Sequence, residues 1–463
     1  MSKLSLIDNG FLLTESHNSP KHVACLQVFR LPRGKGSAWL RRLLDELRLI
    51  GPGFPFNRKL KTVNPLQPEW VIDDQFDIDY HVRHTVLPAP GSEEQVWDVV
   101  ARMHANLLDR ERPLWEFHLI EGLSERRFAF YTKIHHAMAD GVTINRWFTQ
   151  AGSGSAEDLT SEPIWQRDRS RKKPPKNEPG YAQLMMAGAK MLGGGIKTSL
   201  DLAGLSARLV QRRFLKGDIN ATLPASAPRT DFNVAPGAAR KLAGTSFPLP
   251  LIKAIGKSQG ASVNDVLLTI CDLAINRYFA EKGQAPDEPL VAFMPINLRN
   301  AEDPESGNLV SMLQIRLAGE HADPLAALSQ VKSSTETAQQ LFAGTGRSAL
   351  QLYALMVALL AQFEETLKLD RILLPTNNLV ISNVPGPREV MYFRGAEAIA
   401  AYPISTLPPL TALNVTANSY AGHMHIGLVA GRTAIPDLQA LQRQMEEAVV
   451  ALTEATGAGD SRL

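Results

Sequence analysis

Residues 128–141 read FAFYTKIHHAMADG. Aromatic and β-branched residues give the first part of this stretch the character of a strand. The strand ends in His135 and His136, and Asp140 and Gly141 follow in a turn. Successive strand side chains point to opposite faces. His136 therefore shares a face with Phe128, Phe130, Thr132 and Ile134, and His135 shares the other with Ala129, Tyr131 and Lys133. Only one of the two rings can enter a given cavity, and the more apolar face belongs to His136. A neutral imidazole is suited to taking a proton near neutral pH, and an apolar wall favours that uncharged form. His136 is thus the candidate general base and His135 its support. Asp140 either orients a ring or holds the loop, and Gly141 supplies backbone freedom.

The pattern continues outward from this stretch. PLWEFHLIEGL (residues 113–123) reads as a strand, and residues 124–127 turn it into the strand above, making a hairpin. Ser92 and Gln95 have capping-box spacing, and Val96, Val99, Val100, Met103 and Leu107 follow as one helical stripe. HVACLQVFRL (residues 22–31) is a further strand. Ser37 reads as the cap of a helix with Leu40, Leu43, Leu44 and Leu47 on one face, stopped by Gly51-Pro52-Gly53. FDIDYHVRH (residues 76–84) reads as short strand and turn, with His81 and His84 on the surface or in a loop. Strand, helix, strands, helix, hairpin and helix in this order predict an α+β layer, a sheet backed by helices.

At 463 residues the chain exceeds what one core normally supports, so two domains are expected. Hydrophobic content of 44% and charged content of 21% fit a soluble globular protein. A net charge of +2 excludes nucleic acid as the main partner, which would demand a strong basic excess. Cys25 and Cys271 sit in apolar runs and read as buried thiols of a reducing compartment. Residues 1–5 lead directly into patterned sequence, so no cleavable signal is expected. The longest apolar stretch, residues 349–363, falls short of the roughly 20 residues a membrane span requires. The expected setting is the cytoplasm, with peripheral contact to an inner-membrane or lipid-droplet surface left open.

Texture divides the chain into residues 1–151, a basic linker with crossover helices at 152–230, and a C-terminal domain at 231–463. Within the linker, WQRDRSRKKPPKNEPG (residues 165–180) is a basic, proline-containing loop. Residues 181–216 regain helical character, with Met185, Met186, Met191, Leu192, Leu202, Leu205, Leu209 and Phe214 among Lys and Arg. That segment either packs across both domains or lies on a bilayer surface. In the second half, Ser262 and Asp265 bracket a helix start, residues 325–360 hold two helices, and ALNVTANSYAGHMHIGLVAG (residues 412–431) is a hairpin. This hairpin echoes the first, as in a degenerate duplication, but no second histidine motif accompanies it. His423 and His425 share a strand face, yet no third ligand is apparent, so no metal site is expected.

HHAMADG matches the HHxxxDG motif of the CoA-dependent acyltransferase superfamily, which includes chloramphenicol acetyltransferase and peptide-synthetase condensation domains. Within it the chain resembles the bacterial wax ester synthase/diacylglycerol acyltransferase family. LSLIDNGFLLTES, PLWEFHLIEGL, the Asn264-Asp265 pair of SVNDVLLTI, MPINLR and ISNVPGP look like that family's blocks, in its order. KHVA at residues 21–24 departs from the family's more usual Met-His-Val-Gly.

The resemblance implies two chloramphenicol-acetyltransferase-like domains forming a pseudo-dimer, with the active site at their interface. It implies transfer of a fatty acyl group from acyl-CoA to a long-chain alcohol or diacylglycerol. Acyl-CoA is then a substrate and no cofactor is implied. His136 becomes the base, no acyl-enzyme forms, and Asp140 pairs with an arginine, with Arg299 as candidate. The oxyanion that develops requires donors. Asn264, in the first turn of a helix, and Asn383, after a strand, are candidates beside Asp265. Pro113, Leu114 and Trp115 read as core or tunnel wall, and residues 355–360 and 403–414 as apolar tunnel candidates. A non-catalytic lipid-droplet binding protein and an amide-forming condensation enzyme are the alternatives.

Overall fold

A computed structural model describes residues 2–4, 6–61, 68–166, 196–297, 310–319, 323–369 and 372–459. A small sheet joins β1 (Ser2–Lys3), β3 (Arg58–Lys61) and β4 (Glu69–Ile72). Two six-stranded sheets carry the rest. The first takes β2 (His22–Arg30), β5 (Val82–Val86), β6 (Trp115–Leu123) and β7 (Arg127–His135) from the N-terminal half. It is completed by β12 (Tyr392–Phe393) and β13 (Ala396–Ile404), in the order β12-β13-β2-β7-β6-β5. The second comprises β8 (Arg240–Pro248), β9 (Val291–Asn297), β10 (Val310–Arg316), β11 (Leu379–Pro385), β14 (Leu413–Tyr420) and β15 (His423–Gly431). Its order is β10-β9-β11-β14-β15-β8. The two predicted hairpins are β6–β7 and β14–β15, each inside its own sheet.

The first sheet is buried on both faces, which explains why β7 lacks a clean alternation of polar and apolar residues. On one face Phe29, Phe117, Phe128 and Phe130 pack with Leu40, Leu43, Leu44 and Leu47 of the helix Ser37–Arg48. On the other, Ala24, Leu26, Val28, Ala129 and Tyr131 meet Val96, Trp97 and Val100 of the helix Glu93–Ala105. The second sheet is covered by the helix Val263–Glu281, whose Val266, Leu267, Ile270, Ala274 and Tyr278 are buried. The predicted capping box of Ser92 with Gln95 forms, and the helix start bracketed by Ser262 and Asp265 proves to be a second one. Ser37 opens its helix but is not the cap, a place taken by Gly36. The two helices expected over residues 325–360 are Pro324–Phe342 and Arg347–Leu367.

One connection departs from the simple division of the chain at residue 231. After β11 the chain crosses into the first sheet, where β13 pairs antiparallel with β2, and then returns to β14. The halves therefore interlock. Close approach explains two glycines at this junction. A Cβ on Gly244 of β8 would collide with the rings of Trp97 and Tyr402, and one on Gly427 of β15 with the Pro403 carbonyl. The basic loop from residue 167 on and Met185, Met186, Met191 and Leu192 lie outside the described residues, as does Arg299. What is described of the crossover segment is the helix Ile196–Val210, followed by a π-helical turn, Gln211–Leu215. Leu205 and Leu209 anchor it in the second core.

Candidate active site

His136 lies one residue beyond β7, where the chain turns. Its amide donates to the Lys21 carbonyl at 2.8 Å, which extends the β2–β7 register by one step. Its ring stacks on Phe11 of the helix Leu6–Thr14, centroids 4.2 Å apart and planes at 15°. His135 is fully buried on the opposite face. Its Nδ1 accepts from the Ala137 amide at 3.0 Å, so the ring proton belongs on Nε2. That Nε2 sits 3.2 Å from Glu15 Oε1, off the straight line of a hydrogen bond. Glu15 also accepts from the Lys21 amide (3.1 Å) and from Arg110 Nε and Nη2 (3.2 and 2.9 Å). Burial pushes the Glu15 carboxyl up, but His135, Lys21 and Arg110 outweigh it and hold it at about 2.

Lys21, at a position where the family more often has Met, is buried and donates to Ser19 Oγ at 2.6 Å. Burial pulls its ammonium down to about 8; Glu365 and Glu15 oppose this and Arg240 adds to it. The unfolded chain, with a lysine near 10.5, then binds the proton more tightly between about pH 8 and 10.5. Below about pH 8 the folded state carries the full penalty, about 3 kcal/mol, and stability is regained as pH rises through that window. Lys21→Met is therefore expected to stabilise the protein at pH 7. Urea unfolding of both proteins at pH 7 and pH 10 checks this, with the gap narrowing at the higher pH.

Asp140 caps the helix that follows, Gly141–Ala151, by accepting from the Thr143 amide at 2.8 Å. This motif helix docks the N-terminal half on the second sheet. A Cβ on Gly141 would stand 3.9 Å from Val384, and Asn145 Nδ2 donates to the Pro385 carbonyl (2.8 Å) and Asn418 Oδ1 (3.2 Å). Beside Val384, Asn383 Nδ2 donates to Asn264 Oδ1 at 2.9 Å. The two predicted carboxamides thus meet across β11 and the helix Val263–Glu281, next to the seam that holds the motif. Asp265 is occupied otherwise: Oδ2 closes the capping box with Ser262, and Oδ1 accepts from Thr335 Oγ1 at 2.6 Å.

An apolar cleft of about 680 Å³, open mouth included, runs along the Phe130 face of the first sheet. Gln27, Phe29, Phe117 and Phe130 of the sheet line it with Phe148 and Ala151 of the motif helix and Met391, Phe393 and Ala398 of the crossover. Phe130 lies about 20 Å along the strand from His136. Neither stretch named as a tunnel candidate lines this cleft: Met356 and Leu359 face solvent, and Leu407 is core. Pro113, Leu114 and Trp115 do not line it either. Trp115 is fully buried, donates to the Phe56 carbonyl at 2.8 Å and stacks on Trp165 and His81.

His81 corrects the sequence reading. It is fully buried, because Asp77 caps a short helix, Ile78–His81, that drives the ring between Phe76 and Trp115. His84 meets Glu121 at 2.9 Å. His425 is buried against Ser246, Nδ1 to Oγ 2.7 Å, and burial lowers it to about 4. Among the described residues no group of three His, Cys, Asp or Glu side chains could hold a metal ion. Burial raises the Cys25 thiol to about 12 and Cys271 higher still, the reverse of an activated nucleophile. Sequence reasoning did not reach Glu15, Phe11 or the site of Lys21's ammonium, since their partners are set by tertiary packing.

Interlocked sheets with a histidine motif at their seam define a class of two-lobed folds. The starter condensation domain of rhizomide synthetase RzmA shares this fold, with a TM-score of 0.58 at 16% identity over 98% of this chain and 95% of that one. The chain belongs to the wax ester synthase/diacylglycerol acyltransferase family. The model of that family's catalytic domain matches residues 4–267 and that of its C-terminal domain residues 306–453. A wax ester synthase/diacylglycerol acyltransferase from Marinobacter aquaeolei VT8 superposes with a TM-score of 0.75 at 30% identity, over 98% of this chain and 100% of that one. A Mycobacterium tuberculosis H37Rv protein named "Probable diacyglycerol O-acyltransferase tgs2" is 35% identical over 97% of this chain and 98% of its own length. Its "Tgs4" counterpart from the same strain is 35% identical over 99% and 98%.

Proposed function

We propose that this protein moves a fatty acyl group from acyl-CoA to the hydroxyl of a long-chain alcohol or diacylglycerol. The observation that carries this reading is an apolar cleft on the first sheet, whose strand β7 runs from Phe130 in that cleft to the histidine pair at its end. The His136 imidazole takes the hydroxyl proton while the alcohol oxygen attacks the thioester carbonyl carbon. Negative charge gathers on the carbonyl oxygen, and the carboxamides of the Asn264–Asn383 pair beside the seam are the donors assigned to it. Collapse breaks the C–S bond, the ester leaves, and the imidazolium returns its proton to the CoA thiolate. No cofactor enters this balance, and the raised thiols support direct transfer over an acyl-enzyme. His135 and Asp140 act by shaping the turn. The test is the purified protein with palmitoyl-CoA and a panel of acceptors, following thiol release. Release with hexadecanol supports wax ester synthesis and release with diolein supports triacylglycerol synthesis. No release with any acceptor defeats the proposal and favours a lipid-binding protein.

Peripheral contact with a lipid surface, from the cytoplasmic side, belongs to the same reading. Among the described residues no helix is long and apolar enough to cross a membrane. Phe214 and Leu215 are exposed on the π-helical turn between Arg213 and Lys216, a basic-flanked apolar tip suited to an anionic bilayer. The double change Phe214→Glu, Leu215→Glu is expected to abolish co-flotation with phosphatidylglycerol-containing vesicles while soluble-acceptor turnover persists. Unchanged flotation would remove this surface from the account.

A further inference from the structure

Glu15 makes more contacts around the motif than its place in the sequence suggests. It follows the helix Leu6–Thr14 directly, its side chain is almost wholly buried, and it touches three partners. Oε1 faces His135 Nε2 and the Lys21 amide; Oε2 faces Arg110. Both Oε1 contacts lead to His136. His135 Nδ1 holds the Ala137 amide on one side of it, and the Lys21 carbonyl takes the His136 amide itself. His136 is thus gripped through the two strands that flank it, and one carboxylate oxygen ties those strands together.

We propose that Glu15 is a positioning residue for His136, acting by fixing His135 with its proton on Nε2 and by anchoring the end of β2 at Lys21. This rests on the acyl-transfer reading above, in which His136 takes the hydroxyl proton. A carboxylate suits this place because it only accepts, and every group facing it donates. A glutamine cannot do the same. With its oxygen toward His135 and Lys21, its NH₂ group confronts the Arg110 guanidinium. Turned round, the NH₂ group confronts the Lys21 amide and forces the His135 proton onto Nδ1, against the Ala137 amide. Either orientation loosens the turn that aims His136.

The test is Glu15→Gln, assayed with palmitoyl-CoA and the accepted alcohol and examined by ¹⁵N NMR of histidine-labelled protein. The expected kcat falls about 10²-fold with KM for both substrates nearly unchanged, the mark of misaim without loss of binding. The wild-type His135 signal is expected to show its proton on Nε2. A folded Glu15→Gln protein with wild-type kcat overturns the proposal. If the variant does not fold, the wild-type spectrum still decides: a His135 proton on Nδ1 overturns it. Wild-type protein that transfers no acyl group at all defeats the acyl-transfer reading instead, and the tautomer measurement stands apart from that failure.

Discussion

His136→Ala is expected to lower kcat by about three orders of magnitude and leave the protein folded. General-base catalysis is worth roughly 10²–10⁴ in rate, and no second imidazole can stand in. His135 is on the opposite sheet face, fully buried, with Nδ1 engaged by Ala137. The fold tolerates the change because His136 lies past the last paired residue of β7 and holds its place through a backbone bond that alanine retains. The change removes the Phe11 stack, worth about 1 kcal/mol. Steady-state thiol release together with a thermal melt checks both halves of this expectation. A variant that keeps turnover would require a different base.

Trp115→Ala is expected to have the largest effect on stability, about 3–5 kcal/mol. The indole is fully buried between Phe56, Phe76, His81 and Trp165, and its Nε1 donor satisfies the Phe56 carbonyl. Alanine leaves a cavity and a buried carbonyl without that donor, and the two penalties add. Because Trp115 pairs with Ile134 across β6–β7, loosening should spread toward the motif. Urea unfolding measures the loss directly. A much smaller loss would mean that the surrounding rings collapse into the gap.

Local patterns carried much of the site. Strand alternation separated the Tyr131 face of β7 from the Phe130 face, and the structure packs the first against the helix Glu93–Ala105 and lines the apolar cleft with the second. Polar residues three apart, Ser92 with Gln95 and Ser262 with Asp265, located two helix starts correctly because the signal lies within one turn. The Asn264–Asn383 bond joined two residues picked separately from a helix start and a strand end. Features that depend on distant partners were not legible. Nothing in AEAIAAYPI announces that β13 leaves its own half to pair with β2, since small residues suit any crowded junction. His81 looked like a loop histidine because its burial is created by Phe76 and Trp115. Glu15 is one acidic residue among many until folding brings it against His135.

The central claim is that two substrates meet at His136 and react directly. Rapid mixing of the protein with palmitoyl-CoA, first without acceptor and then with the preferred alcohol, tests it most directly through the amount of CoA thiol released. The account predicts no thiol release without acceptor, and release matched mole for mole by ester once alcohol is added. A burst of thiol equal to the enzyme concentration in the absence of acceptor would reveal an acyl-enzyme and contradict it.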